Sequence, residues 1–208
     1  MTWKVIGTKG CGSVLVEAAF TLAGVPYERE EIVYDAPGPD QDRLLALNPL
    51  GQVPTLVAPD GGVMTESAEV VLHLDELVPS AGLLPKPGTP ERREALRWLI
   101  FIVASIYPTF TFGDQPEKFV GDAGKRLRES SDARRQAMWR QVEGAASATG
   151  PWFLGTQRSM IDVYISVMSY WRPRRAWFAA ECPKLSAIAL AIDADPRLQP
   201  LWTENLAG

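Results

Sequence analysis

Asn48-Pro49-Leu50-Gly51-Gln52-Val53-Pro54-Thr55-Leu56-Val57, with Asp60-Gly61-Gly62 behind it and Thr65-Glu66-Ser67 after that, is the stretch on which the reading of this chain turns. Val53 to Val57 has the composition of a short strand that begins at a proline, and Asp60-Gly61-Gly62 is a hairpin turn that sends the chain back antiparallel. Glu66 to Val78 then changes to helical spacing, with Val70, Val71, Leu74 and Leu77 on one side. Toward the N-terminus, Trp3 to Thr8 alternates like a strand and Lys9-Gly10-Cys11-Gly12 is a glycine-punctuated turn. A helix is expected next, with Ser13 as its N-cap, an apolar face of Val14, Leu15, Ala18, Ala19 and Leu22, and an end at Gly24 before Val25-Pro26. Tyr27 to Tyr34 reads as a second strand and Gln41 to Leu47 as a short helix. Strand, helix, strand, helix, strand, strand, helix predicts an α/β unit with a mixed sheet, because the crossover must be parallel and the hairpin antiparallel.

After Val78 the texture changes. Pro79, Gly82, Pro85, Pro87, Gly88 and Pro90 make residues 79–90 a linker that cannot continue a helix. Beyond it the spacing predicts helices over 92–112, 122–148, 159–172 and 185–192, so the expected division is residues 1–78, a linker, and an all-helical domain over 91–208.

Composition narrows the function. Of 208 residues 46% are hydrophobic and 22% charged, which suits a soluble globular chain. Lys and Arg number 21 against 25 Asp and Glu, a formal charge of -4 that argues against a general nucleic-acid binder. Trp98 to Ile106, the longest strongly apolar stretch, is short for a membrane span, and the N-terminus reads as a strand rather than a signal peptide, so a cytoplasmic protein without a membrane partner is expected. Cys11 and Cys182 are the two cysteines and His73 the one histidine, which excludes a Cys/His zinc site and a Cys-x-x-Cys dithiol. His73 lies within Val70 to Leu74, where a helix-face or core histidine is the ordinary reading.

Asn48 to Leu56, Thr65-Glu66-Ser67 opening a helix, and a proline-rich linker into a helical half together resemble the cytosolic glutathione S-transferases, in their bacterial type, over the whole chain. Trp152-Phe153-Leu154-Gly155 before Ser159-Met160-Ile161-Asp162 is similar to that family's capping box and the loop preceding it. The resemblance implies an α/β plus all-α protein: an N-terminal thioredoxin-like domain with a mixed four-stranded sheet and a C-terminal helical domain. It also implies glutathione as cosubstrate, no metal, and a homodimer touching through the helices that start near Arg92 and Asp122. The implied reaction is transfer of the glutathione thiol to a small hydrophobic electrophile, as in detoxification.

Carried onto this chain, the resemblance places glutathione against Gln52, Val53, Pro54, Glu66 and Ser67. Val53 would pair through its backbone, and the Val53-Pro54 bond is where a cis peptide is expected, since an X-Pro bond disfavours cis by only about 0.5–1 kcal/mol. Glu66 and Ser67 stand where a strand passes into a helix, so a carboxylate, a hydroxyl and a positive helix end meet there, matching the ammonium and carboxylate of a γ-glutamyl group. As a purely structural pair they would be a first-turn acid and an N-cap. Three residues compete to stabilise the thiolate. Counting back from Leu22 to Tyr27 selects Ser13; Cys11 is second and would instead support a mixed disulfide; Thr8 is third. The electrophile's pocket is expected between the domains, against Tyr107, Phe110 and Trp171. A glutathione-dependent reductase using Cys11, and a non-catalytic homologue that binds glutathione or a partner, remain as alternatives. Ser159 and Asp162 form a capping box whose role is folding.

Overall fold

A computed structural model describes residues 2–206. By packing, these residues form two units, one running to Leu83 and taking back the chain from Asp193 onward, the other Leu84–Ile192.

In the first unit β1 (Trp3–Gly7), α1 (Ser13–Ala23), β2 (Tyr27–Glu31), α2 (Pro39–Leu47), β3 (Thr55–Val57), β4 (Val63–Met64) and α3 (Ser67–Leu77) build a four-stranded sheet of order β2-β1-β3-β4. β1 pairs parallel with β2, Trp3 opposite Tyr27 through Gly7 opposite Glu31, and antiparallel with β3, where Ile6 faces Thr55. The β3–β4 hairpin pairs Leu56 with Met64. The alternation of β1 explains the two layers. Trp3 lies 5.5 Å from the Phe20 ring of α1 and 5.6 Å from His73 of α3, so His73 is a helix-face residue against an aromatic ring. Ile6 points the other way and joins Ile32 and Leu44 of α2 in a separate core. Gly24, at φ 67°, closes α1 with N–H bonds to Phe20 and Thr21 carbonyls, a conformation that favours glycine.

Several boundaries differ from the sequence expectation, each for a local reason. α1 takes Gly12 as N-cap and Ser13 as its first residue. β2 ends at Glu31 rather than Tyr34, because β1 stops at Gly7, whose carbonyl accepts the Ile32 N–H as the last rung. β3 starts at Thr55 rather than Val53, since Pro54 has no N–H to give a ladder.

The second unit contains α4 (Pro90–Phe101), α5 (Tyr107–Asp114), α6 (Glu117–Val120), α7 (Gly124–Ala145), α8 (Met160–Ser169), α9 (Arg175–Glu181) and most of α10 (Pro183–Asp193). Thr89 caps α4, its hydroxyl accepting the Arg92 N–H at 3.1 Å. A π-helical turn, Ile102–Ile106, joins α4 to α5 just before Pro108, whose ring and missing N–H do not fit a regular α-helix. By length and composition this continuous run, Pro90–Asp114, is long and apolar enough to cross a membrane, although Trp98 to Ile106 read alone is not. Its buried side, Ala95, Leu99, Ile102 and Ile106, belongs to the core of the unit. α8 is buried at all ten positions, which fits a helix enclosed on every side.

The domain expectation needs correction at both ends. Residues 79–90 are not one free linker: Pro79–Ala81 is a 3-10 turn attached to α3, and the division falls between Leu83 and Leu84. Nor does the helical domain extend to the end of the described chain. α11 (Gln199–Asn205) buries Leu201, Trp202 and Asn205 and packs on α1 of the first unit.

The capping box of α8 forms as the sequence indicates. Asp162 Oδ2 accepts the Ser159 N–H and Oδ1 the Phe153 N–H, each at 2.7 Å. Burial pushes the Asp162 carboxyl up to about 6 despite these hydrogen bonds. Asp162→Ala should therefore cost about 1–3 kcal/mol by stranding buried N–H groups. Because the folded pKa is raised above the ordinary 3.8, this acid's contribution is complete below 3.8 and is lost as pH rises through about 6. Denaturant midpoints should show the gap between wild type and variant shrinking across that interval; a pH-independent gap would refute the assignment.

Candidate functional site

The strand register brings three connections to one end of the sheet. β1 leaves the sheet at Gly7 toward α1, β3 enters beside it at Thr55, and β4 exits at Met64 toward α3. The Thr8–Gly12 loop, the Val53-Pro54 segment and Glu66-Ser67 are therefore neighbours by topology, at the carboxyl end of the two parallel strands, where α/β sheets offer their crevice.

Asn48 builds the middle connection. It is buried, its Nδ2 donates to the Gln52 carbonyl and to Thr55 Oγ1, both at 3.1 Å, and its Oδ1 accepts the Leu50 N–H. Thr55 Oγ1 adds a bond to the Gln52 carbonyl at 2.8 Å. These bonds hold Gln52 with its side chain outward, and Val53 with neither backbone N–H nor carbonyl partnered among the described residues. The Val53-Pro54 peptide is cis. Val53 thus presents an edge able to pair with an extended peptide.

Glu66 is exposed and stands at φ 61°, ψ 102°, a backbone state that an L-residue seldom adopts. Among the described residues the Ala68 N–H has no carbonyl partner and the Glu66 carboxylate has no ion pair. Ser67, half-buried, opens the helix. A negative group with an adjacent ammonium fits this combination.

At the start of α1 the candidates separate. Ser13 is fully buried, and its hydroxyl donates to the Thr8 carbonyl at 3.2 Å. Gly7 makes the space: a Cβ there would fall 2.3 Å from the Ser13 Cβ. The Thr8 hydroxyl donates to the Ile32 carbonyl at 2.6 Å. Cys11 is half-buried, with Sγ 3.8 Å from the Tyr34 hydroxyl. The N–H groups of Gly12 and Ser13 meet no carbonyl among the described residues, as at any helix start. Tyr34 was not singled out in the sequence; as the last residue of the expected second strand it carried no chemical signal, and the structure places it three residues past the end of β2. Asn48 was visible only as part of a motif, without its role.

In the second unit Tyr107, Phe110 and Trp171 form one aromatic group, with ring centroids 5.4–6.3 Å apart. Buried Arg135 of α7 supports it from behind. Its guanidinium lies 4.0 Å from the Phe110 ring centre and donates to Thr109 Oγ1 and the Thr109 carbonyl. Phe110 is buried, Tyr107 and Trp171 partly exposed.

Comparison with known proteins gives the family and the fold. Residues 15–77 match the family model described as Glutathione S-transferase, N-terminal domain. An uncharacterized GST-like protein, YncG, of Escherichia coli (strain K12) is 36% identical over 97% of this chain and 98% of its own length. A glutathione transferase structure from Methylococcus capsulatus has 28% identity and a TM-score of 0.76, covering 97% of this chain and 98% of that one. A glutathione transferase homolog from Sulfitobacter with bound glutathione shares the fold, with a TM-score of 0.82 at 20% identity and 97% coverage of both chains.

The close approach at β1 is testable. Gly7→Ala should destabilise the chain by about 1–3 kcal/mol through overpacking against Ser13. Adding Ser13→Gly should recover part of that loss, and strictly additive effects in a double-mutant cycle of chemical denaturation would contradict the contact.

Proposed function

Because the chain belongs to the glutathione S-transferase family, we propose that it binds glutathione at this end of the sheet and delivers the thiolate to a small hydrophobic electrophile. The observation that carries the reading is the register that collects the Cys11 loop, Val53 and Glu66-Ser67 at one edge. Glu66 takes the γ-glutamyl ammonium, Ser67 and the first turn of α3 take its carboxylate, and Val53 pairs with the cysteinyl backbone, flanked by Gln52 and Pro54. The sulfur then lies at the start of α1, where the Gly12 and Ser13 N–H groups favour the anion. The thiol proton passes to water, and the sulfur pair forms the bond to the electrophilic carbon as its leaving group departs or an adjacent carbon takes up a proton. Within the second unit, Tyr107, Phe110 and Trp171 offer an apolar aromatic surface suited to a hydrophobic ligand.

Ser13 enters this scheme differently from the sequence expectation. With its hydroxyl buried on the Thr8 carbonyl, it acts on the sulfur through its N–H and shapes the loop. The accessible side chain is Cys11, which supports a second reading, a glutathione-dependent thiol reductase. There the Cys11 thiolate attacks the glutathionyl sulfur of a mixed disulfide and expels the substrate thiol, and the thiolate of a second glutathione then attacks that same sulfur, breaking its bond to Cys11 so that Cys11 leaves as thiolate and glutathione disulfide is released.

A homodimer is part of the proposal. Ile100, Phe112, Phe119 and Val120 leave apolar surface exposed on α4 to α6, and a cavity of about 380 Å³ opens among Ser105, Pro108, Phe112, Leu127 and Arg134. Light scattering should give twice the chain mass; a monomer at micromolar concentration would refute this.

Ser67→Ala should weaken glutathione binding by about 1.5–3 kcal/mol, and unchanged affinity by calorimetry would sink the γ-glutamyl placement. Conjugation of an aryl halide should survive Cys11→Ala, whereas reduction of a mixed disulfide, if wild type performs it, should vanish. Loss of conjugation in Cys11→Ala would make the reductase-type site the better account.

A further inference from the structure

Arg29 of β2 is the hub of a charge cluster that leads to the loop before α1. Its side chain is only 14% exposed and meets three carboxylates: Glu17 of α1, with Nε 3.6 Å from Oε2, Glu31 at the end of β2, and Glu204 of α11, with Nη1 2.5 Å from Oε1. Glu31 turns its other oxygen outward from the pair, and that Oε1 accepts the backbone N–H of Lys9 at 3.0 Å. Lys9 opens the loop that carries Cys11 and ends at Gly12. The next residue, Gly10, stands at φ +72°, and a Cβ there would lie 3.6 Å from the Asn205 carbonyl oxygen, so the end of α11 also backs the loop by contact.

We propose that Arg29, anchored by Glu204 of the last helix, is a positioning residue for the thiol-binding loop Lys9–Gly12, acting through Glu31 on the Lys9 N–H. Its consequence for the reaction rests on the glutathione reading above, while its effect on the loop does not. The loop sets where the first N–H groups of α1 point, and a helix end stabilises an anion only within its first turn and in the right direction. Residues that touch no substrate therefore tune the thiolate.

Glu17 makes the brace depend on pH. It is 1% exposed, and its Oε1 has no hydrogen-bond partner among the described residues. Burial pushes its carboxyl up to about 7, Arg29 pulling it down and Glu204 and Glu31 pushing it up. The Tyr27 hydroxyl, the remaining titratable group facing it from β2, is itself raised by burial and by Glu17. With Glu17 protonated, Arg29 is shared between Glu31 and Glu204. Once Glu17 ionises, Arg29 is drawn toward α1, its hold on Glu31 weakens, and the loop loosens.

Alkylation of Cys11 by iodoacetamide, followed by intact mass on the full chain, reads the loop without any glutathione. Cys182 does not compete, being buried with its thiol pushed up to about 12. Glu204→Gln, at a side chain 51% exposed, should leave the melting temperature nearly unchanged and slow Cys11 alkylation about two- to fivefold, the loss expected when a helix-end interaction is misdirected. Wild type should show an inflection near pH 7 beyond the thiol's own ionisation, and Glu17→Gln should remove it. Arg29→Lys, which keeps the charge but not the three-way reach, should behave like Glu204→Gln. Identical Cys11 profiles in wild type, Glu204→Gln and Glu17→Gln overturn the proposal, as does a fall in melting temperature with the profile unmoved. Calorimetry of wild type with glutathione tests the underlying reading separately: absence of binding defeats that reading, and the Cys11 profiles still decide the loop.

Discussion

The pairing of β1 with β2 on one side and β3 on the other is the constraint from which the candidate site follows. β1 is five residues long and ends at Gly7, and everything chemically interesting begins where it stops. Its last residue carries no side chain, so Ser13 can close down on the strand, and its carbonyl takes the Ile32 N–H, which fixes where β2 must end. Because Ile6 faces Thr55, the segment containing Val53 and Pro54 cannot lie anywhere but next to that end. The β3–β4 hairpin then returns Glu66 to the same edge. Changing the register by one residue would turn Ile6 toward α1 and Trp3 toward α2 and separate these groups.

Much of this was legible in sequence because it depends on local rules. Proline at 54, Asp60-Gly61-Gly62, the glycine at 24 and the Ser159/Asp162 spacing each restrict the backbone in a way that a reader can recognise. The order of elements then leaves few ways to connect them. What escaped reading depends on distant contacts. The cap of α1 passed to Gly12 because the space above Gly7, six residues earlier, draws Ser13 inward. The π-helical turn before Pro108 and the full burial of α8 are responses to packing that period-3.6 counting does not register. α11 looked like the tail of a helical domain, yet its placement is decided by Leu201 and Trp202 and by a charge on β2.

The site reading divides along the same line. The proposed backbone-mediated recognition by Val53 and the end of α3 rests on geometry that nearly any side chain would permit, so a sequence motif is enough to suggest it. Selection among Thr8, Cys11 and Ser13 depended on which way a hydroxyl or thiol points. Both hydroxyls are engaged with backbone carbonyls inside the first unit, which leaves Cys11 and the helix N–H groups at the accessible edge. Tyr34, whose ring packs against the Ile6 core while its hydroxyl approaches Cys11, joins them only once the chain is folded.

The central claim is that three connections at one end of the sheet act together as a glutathione site. A crystal structure of the protein with glutathione tests it most directly. The account predicts the γ-glutamyl group against Glu66, Ser67 and the first turn of α3, backbone pairing with Val53, and the sulfur beside Cys11 and the Gly12 and Ser13 N–H groups. Glutathione bound elsewhere, or bound with its sulfur directed away from the start of α1, would contradict it.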